Sequence, residues 1–525
     1  MTETEIPTHA ALAAALARIR PGTIDAHLRF LSHPLLEGRA PGTRGGTLAL
    51  EYLRTQFQRM GLEPVHGAYA QEVPMVGLDP SPELAFALPG GETRTPAYPD
   101  EYVLEAGVPR PEVEVDRELV FVGYGITAPE HGWDDYADAE VRGKVLLVRV
   151  NDPGTADTPG FFGGRALTYY GRWTYKYEEA SRRGAAGVLL LHTDASAGYG
   201  WNVVRTSNTG EQFDLAGDPE FPLEVRGWMA EAAVRGLLAA AGHDLDDLLR
   251  RSEARGFRPV PTGVRVRARV RSRVREVRTA NVVGLLPGSD PARAAEPVLL
   301  SAHYDHLGVR RGEAGETLVH HGAYDNASGV ALLLAVAEAA ASAPERPRRP
   351  LLCVATTAEE SGLLGAEWYA RHPLFPLRST AAALNVDGAN LDGRTRDVAP
   401  LGADRSSLGA VVRRAAAAEG MEVAPEAHPE QGMFFRQDHF PLARAGVPAL
   451  AMDHGLAYEG RPLGWGEERY AEFIARHYHQ PSDAYREGID YGGAVQQGRV
   501  LLRTAWEVAT ADGLPAWGPG EFRRP

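Results

Sequence analysis

Hydrophobic side chains recur every three or four positions in two segments near the start of the chain, which is the spacing of an amphipathic helix. The first helix is predicted to begin at a turn capped by Thr23, and the second to end at Gly61. Each helix would bury one apolar face against another part of the protein. The residues on these faces are Ala26, Leu28, Phe30 and Leu31 in the first helix and Ala49, Leu53, Phe57 and Met60 in the second.

From residue 111 the pattern changes to short strand-like runs separated by Gly, Pro and Asp. This change predicts a separate β-rich folding unit over residues 111–275, with the rest of the protein, 1–110 and 276–525, forming another domain. Within the unit we predict strands at Glu118–Gly125, Lys144–Val150 and Gly187–His192. We also predict a helix at 174–183 and a loop at 198–209.

One predicted strand, Val264–Val274, alternates small or apolar residues with arginine, so its five arginines share one face. A basic ribbon that binds nucleic acid is one interpretation. A solvated edge strand protected by charge from aggregation is the other, and the acidic composition of the whole chain favours it.

After Asn281, apolar strand-like runs alternate with helical stretches. Strands are predicted at Val298–Ser301 and Leu351–Ala355, and helices at Gly329–Ala341 and Gly362–Arg371. This alternation is typical of an α/β fold with a mostly parallel central sheet flanked by helices.

Composition limits the class of protein. The 525 residues are 44% hydrophobic and 24% charged, which excludes wholesale disorder, and the formal net charge is -14. An acidic chain argues against nucleic acid or an anionic membrane as the main partner. The single cysteine, Cys353, excludes an intramolecular disulfide and a thiolate metal site, so any metal must bind to His, Asp and Glu.

The start of the chain lacks a basic segment followed by an apolar core, and no run of about eighteen apolar residues occurs. We therefore expect a cytoplasmic protein that does not span a membrane. A secreted protein whose leader has been removed would give the same sequence, so this alternative stays open.

Polar side chains with metal-binding chemistry follow several of the predicted strands. Each has an ordinary structural interpretation, as a helix cap, a solvated helix start or a turn former. Together they favour a site, because ligands of open α/β sheets bind at the carboxyl ends of the strands. Two histidines and three carboxylates could hold two divalent ions, and one of two adjacent glutamates would remain as a base. The residues are His303, Asp305, Asp325, Glu359, Glu360, Asp387 and His479.

These motifs resemble those of the di-zinc aminopeptidases of the leucyl aminopeptidase and glutamate carboxypeptidase type, a zinc exopeptidase family with a phosphorylase/hydrolase-like fold. The resemblance extends to Leu36–Thr43, and residues 111–275 resemble the protease-associated domain that some members carry as an insertion. The motifs are Ser301-Ala-His-Tyr-Asp-His-Leu-Gly, Asp325-Asn-Ala-Ser-Gly, Glu359-Glu360-Ser-Gly-Leu-Leu-Gly, Asn385-Val-Asp387 and Tyr478-His479-Gln-Pro-Ser-Asp483.

The resemblance implies a role for each of these residues. Two Zn²⁺ ions would be bound per chain, one by His303 and Asp387 and the other by Glu360 and His479. Asp325 would bridge the two ions. Asp305 would support His303, Glu359 would be the general base, and Tyr478 would donate a hydrogen bond to the oxyanion. One departure is Tyr324, where many relatives have an acidic residue.

The implied function is a metal-dependent aminopeptidase that hydrolyses N-terminal residues from peptides, using a zinc-activated water and a glutamate base. A carboxypeptidase and an enzyme like glutaminyl cyclase are alternatives with the same fold. A non-catalytic, receptor-like binding protein is a third alternative, but such a protein is expected to have lost ligands, and here all are present. Other histidines, namely His320, His321, His439, His454 and His477, are interpreted first as structural, and Asp438 as a wall of the pocket.

Overall fold

The computed structural model describes residues 5–137, 139–312, 314–520 and 522–524, with side chains from residue 10. The chain forms two compact units. The first comprises the chain up to Pro74, Val277–Ala427 and the chain from Arg436 onward. The second comprises Met75–Glu276 and His428–Phe435.

The sheet of the first unit is mostly parallel, as predicted. Val298–His303 lies at its centre and pairs in parallel with Leu351–Thr356 on one side and Ala382–Asn385 on the other. Ala382–Asn385 in turn pairs in parallel with Ala449–His454. The antiparallel pairs lie further out, where Val282–Leu286 joins Leu351–Thr356 and Asp397–Leu401 joins Ala449–His454. The remaining strands are Glu422–Val423 at the sheet edge and a separate hairpin, Gly308–Arg311 and Thr317–His320.

Helices cover this sheet, and Gly329–Ala341 is the most apolar of those described here, with eleven of its residues buried. A helix that is hydrophobic on all sides belongs in a core. The other helices are Glu5–Leu16, Pro21–Leu31, Arg44–Arg59, Leu364–Arg371, Leu408–Ala418, His439–Arg444, Trp465–Arg476 and Gly492–Thr510, with short turns of helix at Pro34–Arg39, Pro291–Arg293, Ala323–Ser328 and Ala403–Arg405.

The two N-terminal helices are confirmed, but the predicted start of the first is wrong. Its first residue is Pro21, and Thr23 therefore lies inside the helix. Proline suits the first helical position because its φ is already close to helical. In the second helix, Thr43 is the cap and accepts a hydrogen bond from the backbone amide of Gly46.

The second unit also contains a sheet with parallel neighbours. Glu112–Phe121, Val145–Arg149, Gly187–His192 and Val225–Ala230 pair in parallel in that order. Antiparallel strands flank them. The other strands are Ala70–Ala87, Thr93–Arg94, Tyr102–Ala106, Thr127–Ala128, Trp133–Asp134, Gln212–Leu215 and Val260–Leu286.

This unit is less purely β than predicted. The stretch predicted as a loop over 198–209 contains the helix Trp201–Ser207. The other helices are Trp173–Arg182, Asp194–Ala197, Glu231–Ala240 and Leu245–Arg251, with short turns at Pro129–His131, Tyr169–Gly171, Pro429–Gln431 and Met433–Phe435.

The division between the units also differs from the predicted one at its start, which is Met75 instead of Pro111. Residues 75–78 pair with the strand Gln212–Leu215, and Tyr102–Ala106 pairs with Val225–Ala230. Backbone hydrogen bonds therefore tie this stretch to the second unit. The end of that segment, Glu276, lies one residue from the predicted boundary, and the assignment of a protease-associated domain stays a prediction.

The arginine-rich strand is not an edge strand. Val260–Arg271 pairs with Glu112–Phe121, and the strand also pairs with Ala70–Ala87. Acidic residues on both neighbours face the arginines: Arg265 Nε lies 2.9 Å from Asp116 Oδ1, and Arg273 Nη2 lies 3.2 Å from Asp79 Oδ2. The alternation places the arginines on an exposed face, where neighbouring carboxylates balance their charge.

Candidate active site

The predicted site residues meet at one edge of the first unit's sheet. His303 is the last residue of its strand, Glu359 and Glu360 follow Leu351–Thr356, and Asp387 follows Ala382–Asn385. Because these three strands are parallel, their carboxyl ends lie at the same edge. Asp325 comes from the turn before the core helix Gly329–Ala341, and His479 follows the helix Trp465–Arg476.

Asp325 lies between the two histidines. Its Oδ1 is 3.3 Å from His303 Nε2, and its Oδ2 is 3.3 Å from His479 Nε2. Each histidine has a second carboxylate of its own: His303 Nε2 lies 3.2 Å from Asp387 Oδ1, and His479 Nε2 lies 3.1 Å from Glu360 Oε2. The five residues therefore form two half-sites that share one carboxylate.

The predicted base, Glu359, and the predicted oxyanion donor, Tyr478, lie beside these half-sites. Glu359 Oε2 is 3.9 Å from His303 Nε2, further than either ligand carboxylate. The ring of Tyr478 packs on that of His479, with centroids 4.0 Å apart, and its hydroxyl accepts a hydrogen bond from Arg436 Nη2 at 3.1 Å.

Asp305 fixes the orientation of two site residues. His303 Nδ1 lies 3.3 Å from the backbone carbonyl of Asp305, which can only accept, so Nδ1 carries the proton. Nε2, which faces the carboxylates of Asp325 and Asp387, is then the nitrogen that would bind a metal ion. The Asp305 carboxylate also accepts a hydrogen bond from the backbone amide of Glu359 at 3.1 Å, which ties the loop of the predicted base to the loop of His303.

The structure adds positioning residues to which the motifs gave no role. Asp483 accepts hydrogen bonds from the backbone amides of Tyr324 at 2.9 Å and Asp325 at 3.1 Å. Asn326 accepts from the backbone amide of Gly388, which follows Asp387, at 2.9 Å. Both lie in the quoted motifs, but no residue pattern identifies the backbone amides that they contact.

His306 is a further residue that sequence reasoning left without a role. Its Nδ1 lies 2.5 Å from Glu360 Oε1, while its buried Nε2 has no hydrogen-bond partner among the described residues. Its place in the motif, three residues after His303, was the signal that could have identified it. His306, Asp325 and Glu360 form one of the groups able to hold a metal ion, alongside His303 with Asp325 and Asp387.

Crowded carboxylates control the charge of the site. Burial by itself would lower the pKa of His479, but the carboxylates of Glu360 and Asp325 raise it to about 10. Burial likewise opposes the rise in the pKa of His303, which Glu359 and Asp387 bring well above its ordinary value. The site therefore attracts positive charge, and its oxygen and imidazole donors fit divalent metal ions such as zinc.

Tyr324, where the sequence departs from the pattern of the resembled family, contacts a histidine. Its hydroxyl lies 2.9 Å from His454 Nε2. His454 Nδ1 lies 3.0 Å from the carbonyl of Gly455, so Nε2 is the acceptor and the tyrosine donates. This hydrogen bond joins His454 to the residue that precedes Asp325, and its structural role stays a prediction.

Asp438, predicted as a pocket wall, accepts a hydrogen bond from Thr356 at the end of a site strand. Burial is the main reason that its pKa rises to about 7. The carboxylates of Asp305 and Asp387 add to this rise, while His303 and Thr356 oppose it.

Part of this chain is similar to known peptidases. Residues 281–505 match the model of Peptidase family M28. A probable glutamate carboxypeptidase of Arabidopsis thaliana is 25% identical over 495 residues, covering 83% of this chain and 62% of that protein. A vacuolar membrane protease of Tuber melanosporum is 30% identical over 118 residues, covering 22% of this chain. This chain spans 11% of the length of that protease.

Two solved structures have the same fold over their whole length. An aminopeptidase from Aneurinibacillus sp. strain AM-1 has a TM-score of 0.56 at 17% identity, covering 98% of this chain and 100% of that one. A Peptidase M28 precursor from Shewanella amazonensis has a TM-score of 0.52 at 18% identity, with the same coverage. Residues 281–505 therefore match the model of Peptidase family M28, and the chain shares the fold of these two structures.

Proposed function

We propose that the protein is a di-zinc aminopeptidase that removes N-terminal residues from peptides. The observation that carries this proposal is the position of Asp325 between His303 and His479, at 3.3 Å from each ring. A carboxylate that faces two histidines, each with a further acidic partner, is the arrangement expected of a binuclear hydrolytic site.

His303 and Asp387 would hold one zinc ion, Glu360 and His479 the other, and Asp325 both. When bound, the two ions polarise the scissile carbonyl and make a water molecule more acidic. Asp305 holds His303 in the tautomer that leaves Nε2 free. Asp483 holds the backbone at Asp325 through two amide hydrogen bonds.

Glu359 would accept the proton of the attacking water and pass it to the leaving amine. Its carboxylate lies beside His303 but further from it than those of Asp325 and Asp387, so Glu359 remains free to move a proton. Burial also raises the pKa of Glu359 well above the ordinary value of a glutamate. A carboxylate with a raised pKa holds the proton that it has accepted more readily. Tyr478 would donate its hydroxyl hydrogen to the developing oxyanion.

The experiment is an assay of aminoacyl anilides and of the same compounds with a blocked amino group. Hydrolysis of the free compounds alone, lost after chelation and restored by zinc, is the expected result. Hydrolysis of the blocked and free compounds at equal rates would contradict an aminopeptidase.

A carboxypeptidase is the second candidate, because the Arabidopsis relative named as a probable glutamate carboxypeptidase matches most of this chain. N-acylated dipeptides with an acidic C-terminal residue would test it in the same assay. Their cleavage, without cleavage of free aminoacyl anilides, would favour this candidate. Peptides are the proposed substrates in both cases.

Among the described residues, no helix is both long and apolar enough to cross a membrane. The location of the protein in the cytoplasm stays a proposal.

A further inference from the structure

Arg39 is a buried cation whose hydrogen bonds all go to backbone carbonyls. The residue is 1% exposed. Its Nε donates to Tyr304 O at 2.7 Å, its Nη1 to Leu31 O and His321 O at 2.7 Å each, and its Nη2 to Gly322 O at 3.0 Å. In the part of the chain that the structure describes, Arg39 forms no ion pair, so the side chain acts as a tether between segments of backbone.

Two of these segments carry metal-site residues. Tyr304 stands between His303 and Asp305 in the chain, and Gly322 stands three residues before Asp325. The guanidinium therefore connects the loop of one predicted ligand with the turn of the bridging carboxylate. It also connects both to the end of the helix Pro21–Leu31, because Leu31 O accepts a hydrogen bond from its Nη1.

The local backbone fixes where this guanidinium lies. Gly38 has a φ of 67°, and a Cβ atom at this position would lie 2.2 Å from His320 O. Only glycine allows the turn to come so close to the backbone at residue 320. Arg39 itself has a φ of 56°, which is uncommon for a residue other than glycine. The backbone of this turn is therefore held in an uncommon conformation next to the site.

Arg39 also places a charge near the acidic site. Burial lowers its pKa to about 10, while Asp305, Asp483, Asp325 and Glu360 act in the opposite direction. At neutral pH the guanidinium is therefore still protonated. A fixed cation close to these carboxylates reduces the cost of burying them together.

We propose that Arg39 is a positioning residue of the metal site, which holds the backbone of His303 and Asp325 at the spacing that two metal ions require. The proposal rests on the proposed function, because it assigns a role within that metal centre. The inference goes beyond the proposed function because it names a residue that would touch neither metal nor substrate. This residue lies more than 260 residues from His303 in the chain.

The test compares Arg39→Met and Arg39→Lys with the wild type and with Arg44→Met. Arg44 is a matched control from the same region, since its side chain is 70% exposed and pairs with Glu37 on the surface. The readouts are zinc affinity, by competition with a chromophoric chelator, and the increase in Tm caused by a fixed zinc concentration. Turnover at saturating zinc is measured in parallel.

Zinc affinity should fall about 10–100-fold in Arg39→Met, the usual effect of removing a group that orients a ligand. The zinc-induced increase in Tm should shrink with it, since stabilisation by a ligand follows its affinity. Arg39→Lys keeps the charge, but its single ammonium group cannot donate to the backbone at residue 304 and at residues 321–322 at the same time, as the planar guanidinium does. This variant should therefore lose most of the zinc affinity as well. Arg44→Met should match the wild type.

A merely structural residue would lower the Tm of the metal-free and zinc-loaded forms equally and leave zinc affinity unchanged, and this result would overturn the proposal. If Arg39→Met does not fold, Arg39→Lys decides by itself. A zinc affinity and a turnover equal to those of the wild type in Arg39→Lys would then overturn the proposal. Failure of the wild type to bind zinc would instead overturn the proposed function, and this inference with it.

Discussion

Glu359 and Glu360 are adjacent in the sequence, but their carboxylates face different half-sites. Glu359 Oε2 lies 3.9 Å from His303 Nε2, whereas Glu360 Oε2 lies 3.1 Å from His479 Nε2. Their pKa values also move in opposite directions. Burial raises that of Glu359 well above its ordinary value, while His479 and His306 outweigh burial and lower that of Glu360 to about 2.

This difference predicts opposite outcomes for two matched variants. Glu359→Gln keeps the size of the side chain and all proposed ligands, so zinc content should stay near that of the wild type. Its kcat should fall roughly 10²–10⁴-fold, the usual effect of losing a general base. Glu360→Gln replaces an anionic ligand with a neutral one and should lose one zinc ion. Metal analysis beside steady-state kinetics distinguishes the two variants.

Zinc loss from Glu359→Gln together with retention in Glu360→Gln would reverse these two assignments. Near-normal turnover in both variants would contradict the proposed chemistry.

Metal content should be close to two zinc ions per chain. The reason is that Asp325 faces both histidines, and each histidine has its own second carboxylate. Elemental analysis of protein loaded with zinc and then desalted would measure this ratio. Asp325→Asn should lower the content more than Asp387→Asn, because only Asp325 contacts both half-sites. A fully active preparation without any divalent metal would refute the prediction.

Tyr478→Phe should retain zinc but lower kcat by about 10²–10³-fold, the usual effect of removing one donor to an oxyanion. The phenyl ring can still pack on His479, whose ring is 4.0 Å from that of Tyr478. Only the hydroxyl is lost. Arg436→Met is the control, because it removes the contact to that hydroxyl and leaves the hydroxyl itself in place. An equal decrease in kcat in Arg436→Met and Tyr478→Phe would indicate that the hydroxyl acts only through its contact with Arg436, and would contradict its role as the donor.

Stability at mildly acidic pH should depend on His27, which is 5% exposed and lies far from the site in the sequence. Burial lowers its pKa from 6.5 to about 4. Between these two values the unfolded chain binds the proton and the folded protein does not, so stability is lost as the pH falls from 6.5 to 4. The contribution is at most roughly 3 kcal/mol.

Urea unfolding of the wild type and of His27→Phe, across this pH range, measures the difference. The variant should lose less stability on acidification than the wild type, because it has no imidazole to protonate. His66→Phe, at an exposed position, controls for the loss of a histidine as such. Parallel curves for the wild type and His27→Phe would show that His27 does not contribute.

The sequence could indicate which candidate site residues lie together, because several of them follow strands with a clear pattern. Apolar runs marked the strands that end at His303 and before Glu359, and parallel strands bring their carboxyl ends to one edge. Periodicity also identified the helices Pro21–Leu31 and Arg44–Arg59, and the mostly apolar stretch Gly329–Ala341 was predicted as a helix from its place between two strands.

Other features have no comparable signal. Asp483 and Arg39 act through hydrogen bonds to backbone groups, which any residue can supply, so nothing in the sequence names their partners. The helix Trp201–Ser207 was missed because it is short, buries only Val203 and Val204, and is surrounded by Gly, Ser and Asn. Period-two alternation placed the arginines of Val264–Val274 on one face but could not show how many strands flank them.

The wide distribution of the proposed ligands along the chain determines when metal can be captured during synthesis. The ribosome releases His303 first and His479 last, so the second half-site lacks its imidazole until the segment after Trp465–Arg476 has emerged. Zinc bound earlier would have only the His303 half-site. Nascent chains arrested before His479 should therefore hold zinc more weakly than the finished chain, and full occupancy marks the completion of the C-terminal part of the domain.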